Sequence, residues 1–170
     1  MQNFTNDRID TTQLPKFEEV PLTALHHNYW KVLLIHFMIF ILILGIVMTI
    51  LIFNPDTMRY RIHFAVGAAV LAAIVLLNIR IGFNKKGFAF RDHDVLFRSG
   101  IIATNTIVIP YNRIQHVALH EGLASRYFGL AAIQMFTAGA SSSDIEIPGI
   151  DKQEAENIKQ LLMGKIQKQL

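Results

Sequence analysis

Two arginines stand in segments whose residue types suit recognition of an anion. Arg113 lies within Pro110-Tyr111-Asn112-Arg113-Ile114-Gln115-His116-Val117, and Arg126 within Gly122-Leu123-Ala124-Ser125-Arg126-Tyr127-Phe128-Gly129. A guanidinium presents a planar fork that matches a phosphate or a carboxylate. The competing use of either arginine is structural, in a pair with Asp144, Glu146 or a buried carbonyl. With Gln115 and His116 beside Arg113, the candidate binding surface is Arg113, Gln115, His116 and Arg126. A second basic group, Lys85 and Lys86, is placed to meet anionic lipid headgroups, at about 1 kcal/mol per charge near a membrane surface. Ordinary topology and docking explain that pair without selective recognition.

Other constellations fall short of a site. His116 and His120 are four residues apart in a stretch that reads as a strand, where that spacing covers about 13 Å. One ion held at about 2 Å from each nitrogen does not bridge such a gap. His26 and His27 are adjacent and read as a solvated or headgroup-level pair rather than metal ligands. His36 and His63 lie in or at the ends of apolar runs, where a histidine reaches the interface. Ser141-Ser142-Ser143 beside Asp144 lacks a positioned base and reads as a flexible turn. The sequence holds no glycine-rich phosphate loop, no nucleophile elbow and no HExxH pattern. It also has no cysteine, which excludes disulfides, thiol catalysis and Cys-based metal sites. No catalytic residue, cofactor-binding residue, cofactor or metal ligand is therefore assigned.

The elements that position these residues follow from composition. The 170-residue chain is 52% hydrophobic and only 17% charged, against about 25% charged in a soluble domain. Its mean hydropathy is +0.35. A net charge of +3 is too small to argue for nucleic acid. The apolar excess sits in two runs, residues 32–53 and 62–83. The first would reach roughly 33 Å as a helix, enough for a hydrocarbon core of about 30 Å. Asn78 and Arg80 lie near one end of the second, within reach of headgroups. Gly67, Ala68, Ala69, Ala72 and Ala73 would let the two helices approach closely. Pro55 and Asp56 mark the tight connection. The pattern predicts a transmembrane helical hairpin, with no cleavage pattern of a signal peptide.

Arg8, Lys16 and Lys31 precede the hairpin, and Arg80, Lys85, Lys86, Arg91 and Arg98 end or follow it, whereas the connection has only Arg59 and Arg61. The positive-inside rule places both termini in the cytoplasm. Residues 1–31 read as a polar cytoplasmic tail, interrupted at Leu14-Pro15 and Val20-Pro21. Tyr29, Trp30 and Lys31 are the interfacial anchors of the first helix. The candidate membrane-surface contacts are Trp30, Lys31, Arg80, Lys85 and Lys86.

From residue 84 the charges are nearly balanced, as in a soluble domain. Short strands are predicted at Gly87–Phe90, Val95–Phe97, Ile107–Ile109, Ile114–Leu119, Ala131–Thr137 and Asp144–Ile147, with turn signals between them. Asp151 is a good N-cap, with Glu154 three residues on. Ala155, Ile158, Leu161, Leu162 and Ile166 form the apolar stripe of a final helix. About six strands and one amphipathic helix suggest a small curved sheet or barrel with a helix over an open end.

These segments resemble the bacterial membrane-flanked PH-like (pleckstrin-homology-like) domain family, the YdbS-like proteins. The resemblance rests on Ile109-Pro110-Tyr111-Asn112-Arg113-Ile114-Gln115-His116-Val117 and Gly122-Leu123-Ala124-Ser125-Arg126-Tyr127-Phe128-Gly129-Leu130. Thr137-Ala138-Gly139-Ala140-Ser141, Ile147-Pro148-Gly149-Ile150 and the preceding hairpin add to it. Relatives often carry Gly-Pro-Leu where this chain has Gly122-Leu123-Ala124. The resemblance implies seven strands in a split barrel closed by the C-terminal helix. It supplies no catalytic residues and establishes no lipid ligand.

The expectation is an α+β protein: a cytoplasmic tail over 1–31, a transmembrane hairpin over 32–83 and a cytoplasmic PH-like split β-barrel with a C-terminal helix over 84–170. Its expected role is a non-enzymatic adaptor at the bacterial inner (plasma) membrane, in contact with membrane lipids and with a membrane protein partner or another copy of itself. The alternatives are an anionic lipid-headgroup sensor and a small accessory subunit of a transport or export complex.

Overall fold

The computed structural model describes residues 20–137 and 144–167. The expected break at Leu14-Pro15, the early basic residues Arg8 and Lys16, and the turn at Ser141-Ser142-Ser143 lie outside these residues.

Two apolar helices form an antiparallel hairpin. Helix α1 covers Tyr29–Phe53 and α2 covers Arg61–Lys85. Both are long and apolar enough to cross a membrane, and the most apolar stretch of each is not buried within the molecule. Each outruns its apolar stretch where the hairpin meets the rest of the chain, because Tyr29, Trp30 and Lys31 continue the helical turn on one side and Asn84 and Lys85 on the other. Asn54 Oδ1 accepts the Asp56 N–H at 3.0 Å, and a 3₁₀ turn, Met58–Tyr60, leads into α2. Along α2, Phe64, Ala68, Ala72, Val75 and Ile79 are half-buried and Gly82 is buried. Their three- and four-residue steps make one stripe that packs on α1. Ala68 and Ala72 thus meet the expectation of close helix approach, whereas Gly67, Ala69 and Ala73 face outward. Three polar side chains of the hairpin bond to their own helices: His36 Nδ1 lies 2.8 Å from the Val32 carbonyl, Thr49 donates to Gly45 at 2.8 Å, and Asn78 donates to Ile74 at 2.7 Å.

Among the described residues, seven strands follow an antiparallel pattern in two sheets. The first sheet has the order β1 (Thr23–Ala24), β2 (Gly87–Phe90), β3 (Asp94–Ser99), β4 (Asn105–Pro110). The second has the order β5 (Ile114–His120), β6 (Leu130–Thr137), β7 (Ile145–Asp151). Six strands match the sequence expectation. The seventh, β1, comes from the segment read as tail: Thr23 and Ala24 pair with Phe88 and Gly87, and Leu25 is buried in the core. Two residues are too few to show a period, so this strand leaves no pattern. At one corner the sheets are joined by the His26 N–H donating to the Gly149 carbonyl at 2.8 Å. At the other, the 3₁₀ turn Tyr111–Arg113 carries β4 into β5.

Between the sheets lie Val95, Phe97 and Ile109 from the first and Ile133, Met135 and Ile147 from the second. A short helix α3 (Leu123–Tyr127) links β5 to β6, and α4 (Lys152–Gln167) covers the open end. Asp151 caps α4 as expected, its Oδ1 accepting the N–H groups of Gln153 at 3.0 Å and Glu154 at 3.4 Å. Ala155 and Leu162 are fully buried, and Ile158 and Ile166 pack beside them. Leu161 departs from the expected stripe. It sits about 100° around the helix from Leu162 and is exposed.

Tyr111 locks the second corner. Its ring is buried and its hydroxyl donates to the Arg91 carbonyl. Arg91 in turn forms a two-pronged pair with Asp94, with Nε to Oδ1 at 2.6 Å. From α4, Lys165 donates to the Asp92 carbonyl at 3.0 Å and lies 5.8 Å from the Tyr111 ring centre. Burial first, then the charges of Asp94 and Asp92, push the Tyr111 phenol above its ordinary pKa.

Candidate functional site

The residues singled out in the sequence collect at two places, the base of the hairpin and strand β5.

At the base, aromatic rings and basic side chains form a collar. The Trp30 ring centre lies 5.8 Å from that of Phe83, and the Arg80 guanidinium lies 4.9 Å from the Trp30 ring centre. Tyr29 and Phe83 stack at 6.5 Å. Lys31 reaches 5.7 Å from the Phe128 ring beside α3. Lys85 Nζ donates to the Ile101 carbonyl at 2.6 Å. Lys86 lines a cleft of about 370 Å³ with Leu33, Ile79, Gly82 and Ile101. Of the five expected membrane-surface residues, Trp30 and Arg80 thus hold the two hairpin helices to each other, while Lys31 and Lys85 join the hairpin to Phe128 beside α3 and to the loop after β3.

The fit at the base is tight. Gly149 has φ +68°, and a Cβ there would lie 2.5 Å from Tyr29 Cγ and 2.8 Å from Tyr29 Cβ. Real non-bonded carbon contacts do not come so close, so strand β7 meets the first turn of α1 only because residue 149 has no side chain.

On β5, a register shift between Ile114 and His116 breaks the alternation of faces. Gln115 and His116 are consequently both exposed, between buried Ile114 and Val117. The His116 ring stacks on Phe136 of β6, with centres 4.3 Å apart and planes at 19°. Arg113 is exposed at the end of the 3₁₀ turn before β5. Arg126 is exposed on α3, beyond the other end of β5. Six residue steps at about 3.4 Å separate those ends by roughly 20 Å. Arg113, Gln115 and His116 therefore form one surface, and Arg126 belongs to the hairpin side of the molecule.

Among the described residues, neither arginine pairs with Asp144 or Glu146. Glu146 accepts from Gln134 at 3.3 Å, and Asp144 accepts the Thr137 N–H at 3.2 Å. His116 and His120 are four steps apart on a strand. Among the described residues no three metal-ligating side chains converge.

The structure adds residues that the sequence reading passed over. Ile102, in the β3–β4 loop, is 99% exposed; Leu123 and Tyr127, on α3, are 92% and 84% exposed. The Leu-x-x-x-Tyr spacing over one helical turn was the available signal, since it puts both side chains on one face. The partnerless, buried Nε of Arg98 on β3 had no sequence signal.

An apolar hairpin feeding two antiparallel sheets under a C-terminal helix defines a PH-like module carried on paired helices. The family model described as bacterial PH domain matches residues 12–166, and the chain belongs to that family. The chain is also similar to the transmembrane protein YdbS of Bacillus subtilis (strain 168), with 26% identity over 103 residues. That match covers 59% of this chain and 63% of the relative, so the chain spans less than two thirds of the relative's length. No solved structure matches the chain.

Proposed function

We propose that the chain is a non-enzymatic adaptor of the bacterial inner membrane. Its hairpin crosses the bilayer twice, both termini are cytoplasmic, and the PH-like module (with its boundary near residue 84) is held at the inner face to dock a protein partner. The similarity to a transmembrane protein and the unburied apolar helices support the membrane part of this reading. Lys31, Arg80, Lys85 and Lys86 at the base outnumber Arg59 and Arg61 at the tip, which supports the orientation.

The observation that carries the docking role is the free side of β5. Among the described residues this strand pairs with β6 alone, and it exposes Gln115 and His116 together. Near its far end, Leu119 lines a groove with Glu156, Lys159, Gln160 and Met163 of α4. An unpaired strand edge beside a mixed polar and apolar groove suits an extended segment of another protein. Anchoring raises the effective concentration of the module at the membrane, so a weak interaction suffices.

The test is gentle detergent extraction of the tagged full chain from its native host, followed by mass spectrometry. A stoichiometric membrane partner that is lost from the His116→Glu variant is the expected result. Recovery of the chain alone, or retention of every partner in that variant, would overturn the role given to β5.

A further inference from the structure

We infer that the module has a second membrane contact besides its hairpin: the β3–β4 loop and α3 form an apolar rim, Ile102, Leu123 and Tyr127, that lies in the lipid interface around the hairpin base. The inference rests on the membrane reading above and adds a surface to it.

Each part of the rim is tied to a different hairpin helix. The β3–β4 loop reaches back along α2: Ile101 packs within 3.5 Å of where a Gly82 side chain would begin, and its carbonyl accepts from Lys85. The cleft under this loop is lined by Asn78, Ile79 and Gly82, so the loop reaches back alongside the last turns of α2 toward its apolar stretch. Ile102, the next residue, is almost wholly exposed. Gly100 makes this path possible. Its φ is +130°, and a Cβ there would collide with the Ala103 carbonyl oxygen at 2.0 Å.

On the other side, Phe128 at the end of α3 sits under Lys31 of α1. Leu123 and Tyr127 project from that short helix into open space. Trp30 and Arg80, stacked at the same level, are side chains of the type that settles at the headgroup region.

Three large apolar side chains with almost no protein around them would be an aggregation liability in water. Beside a hairpin that enters a bilayer they continue an apolar surface that is already there. Tyr127 brings a hydroxyl suited to the interface. Arg126 between them, with Lys85 and Lys86 at the other part of the rim, complements anionic headgroups. The occupant is therefore the surface of the same bilayer. A rim on two sides of the hairpin would fix the tilt of the module, and hence the direction in which β5 faces.

The experiment uses the full chain in lipid nanodiscs. The natural sequence has no cysteine, so Ile102→Cys, Leu123→Cys and Tyr127→Cys each carry a single spin label. Gln115→Cys is the water control and Leu42→Cys, in the hairpin, the lipid control. Collision rates with oxygen, which concentrates in lipid, and with a water-soluble nickel chelate report the surroundings. The expected result at 102, 123 and 127 is a several-fold higher oxygen-to-nickel ratio than at 115, approaching that at 42. Nickel access equal to position 115, with position 42 in lipid, overturns the rim and leaves the hairpin standing. Low access to both reagents at the rim indicates a second copy of the chain in place of lipid and also overturns it. Water access at position 42 overturns the membrane reading and the rim with it.

Discussion

Gly149→Ala should loosen the junction between the module and the hairpin. Two effects add at this position. A residue with a side chain at φ +68° bears a left-handed strain of about 1–2 kcal/mol. The new methyl group would also start 2.5 Å from Tyr29 Cγ, and overpacking of this kind costs about 1–3 kcal/mol. The total, about 2–5 kcal/mol, is a large share of a typical domain's stability. The assay is denaturant unfolding of the full chain in detergent micelles, followed by the emission of Trp30, the chain's single tryptophan. That ring lies against Phe83 and Arg80 at the hairpin base, one residue from Tyr29, so its emission follows the packing beside the junction. In a Tyr29→Ala background the cost of Gly149→Ala should fall by about 1 kcal/mol or more, because the ring is gone. It should not vanish, since the Cβ of residue 29, at 2.8 Å, and the left-handed backbone remain. A loss below about 0.5 kcal/mol, or one of equal size in both backgrounds, would refute the reasoning.

Two further outcomes follow from the core and the corner. Leu162→Ala removes a fully buried side chain of α4 and should cost about 2–5 kcal/mol in the same unfolding assay; a loss under about 1 kcal/mol would show that α4 does not seal the core. Tyr111→Phe leaves the Arg91 carbonyl without its donor and should cost about 1 kcal/mol at neutral pH. Because the folded phenol titrates above its ordinary value of 10.0, its stabilising contribution is whole below that pH and is lost as pH rises through the folded pKa. The wild-type chain should therefore lose stability in that alkaline range more steeply than Tyr111→Phe, and parallel curves would contradict the assignment.

The legible parts of the fold were those with a period. The two apolar runs announced α1 and α2, and six strands stood between turn residues. Asp151 marked the start of α4 because an N-cap works through its immediate neighbours. What stayed hidden depended on distant contacts. Thr23–Ala24 becomes a strand only because Phe88 and Gly87 offer an edge. Gly149 looks like any turn glycine until Tyr29 is brought against it. Arg113 and Arg126 are near in sequence and share a residue type, yet β5 lies between them and makes them parts of different surfaces. Lys31 and Lys85 read as membrane contacts, and their heads also hold Phe128 and the Ile101 carbonyl. Lys and Arg side chains are long enough to serve both neighbours at once. The outward side chain of Ile102 belongs to a short loop, where no period separates an inner face from an outer one. Those of Leu123 and Tyr127 belong to a helix of five residues, whose single i, i+4 pair is too short a pattern to show which face is outer.

The central claim is a hairpin that crosses the inner membrane twice and leaves the module in the cytoplasm. It is tested most directly by single-cysteine labelling in spheroplasts with a membrane-impermeant maleimide, using Asp56→Cys in the connection and Gln115→Cys on β5. The account predicts that position 56 is labelled in intact spheroplasts and position 115 only after lysis. Labelling of position 115 in intact spheroplasts, with position 56 protected, would contradict it.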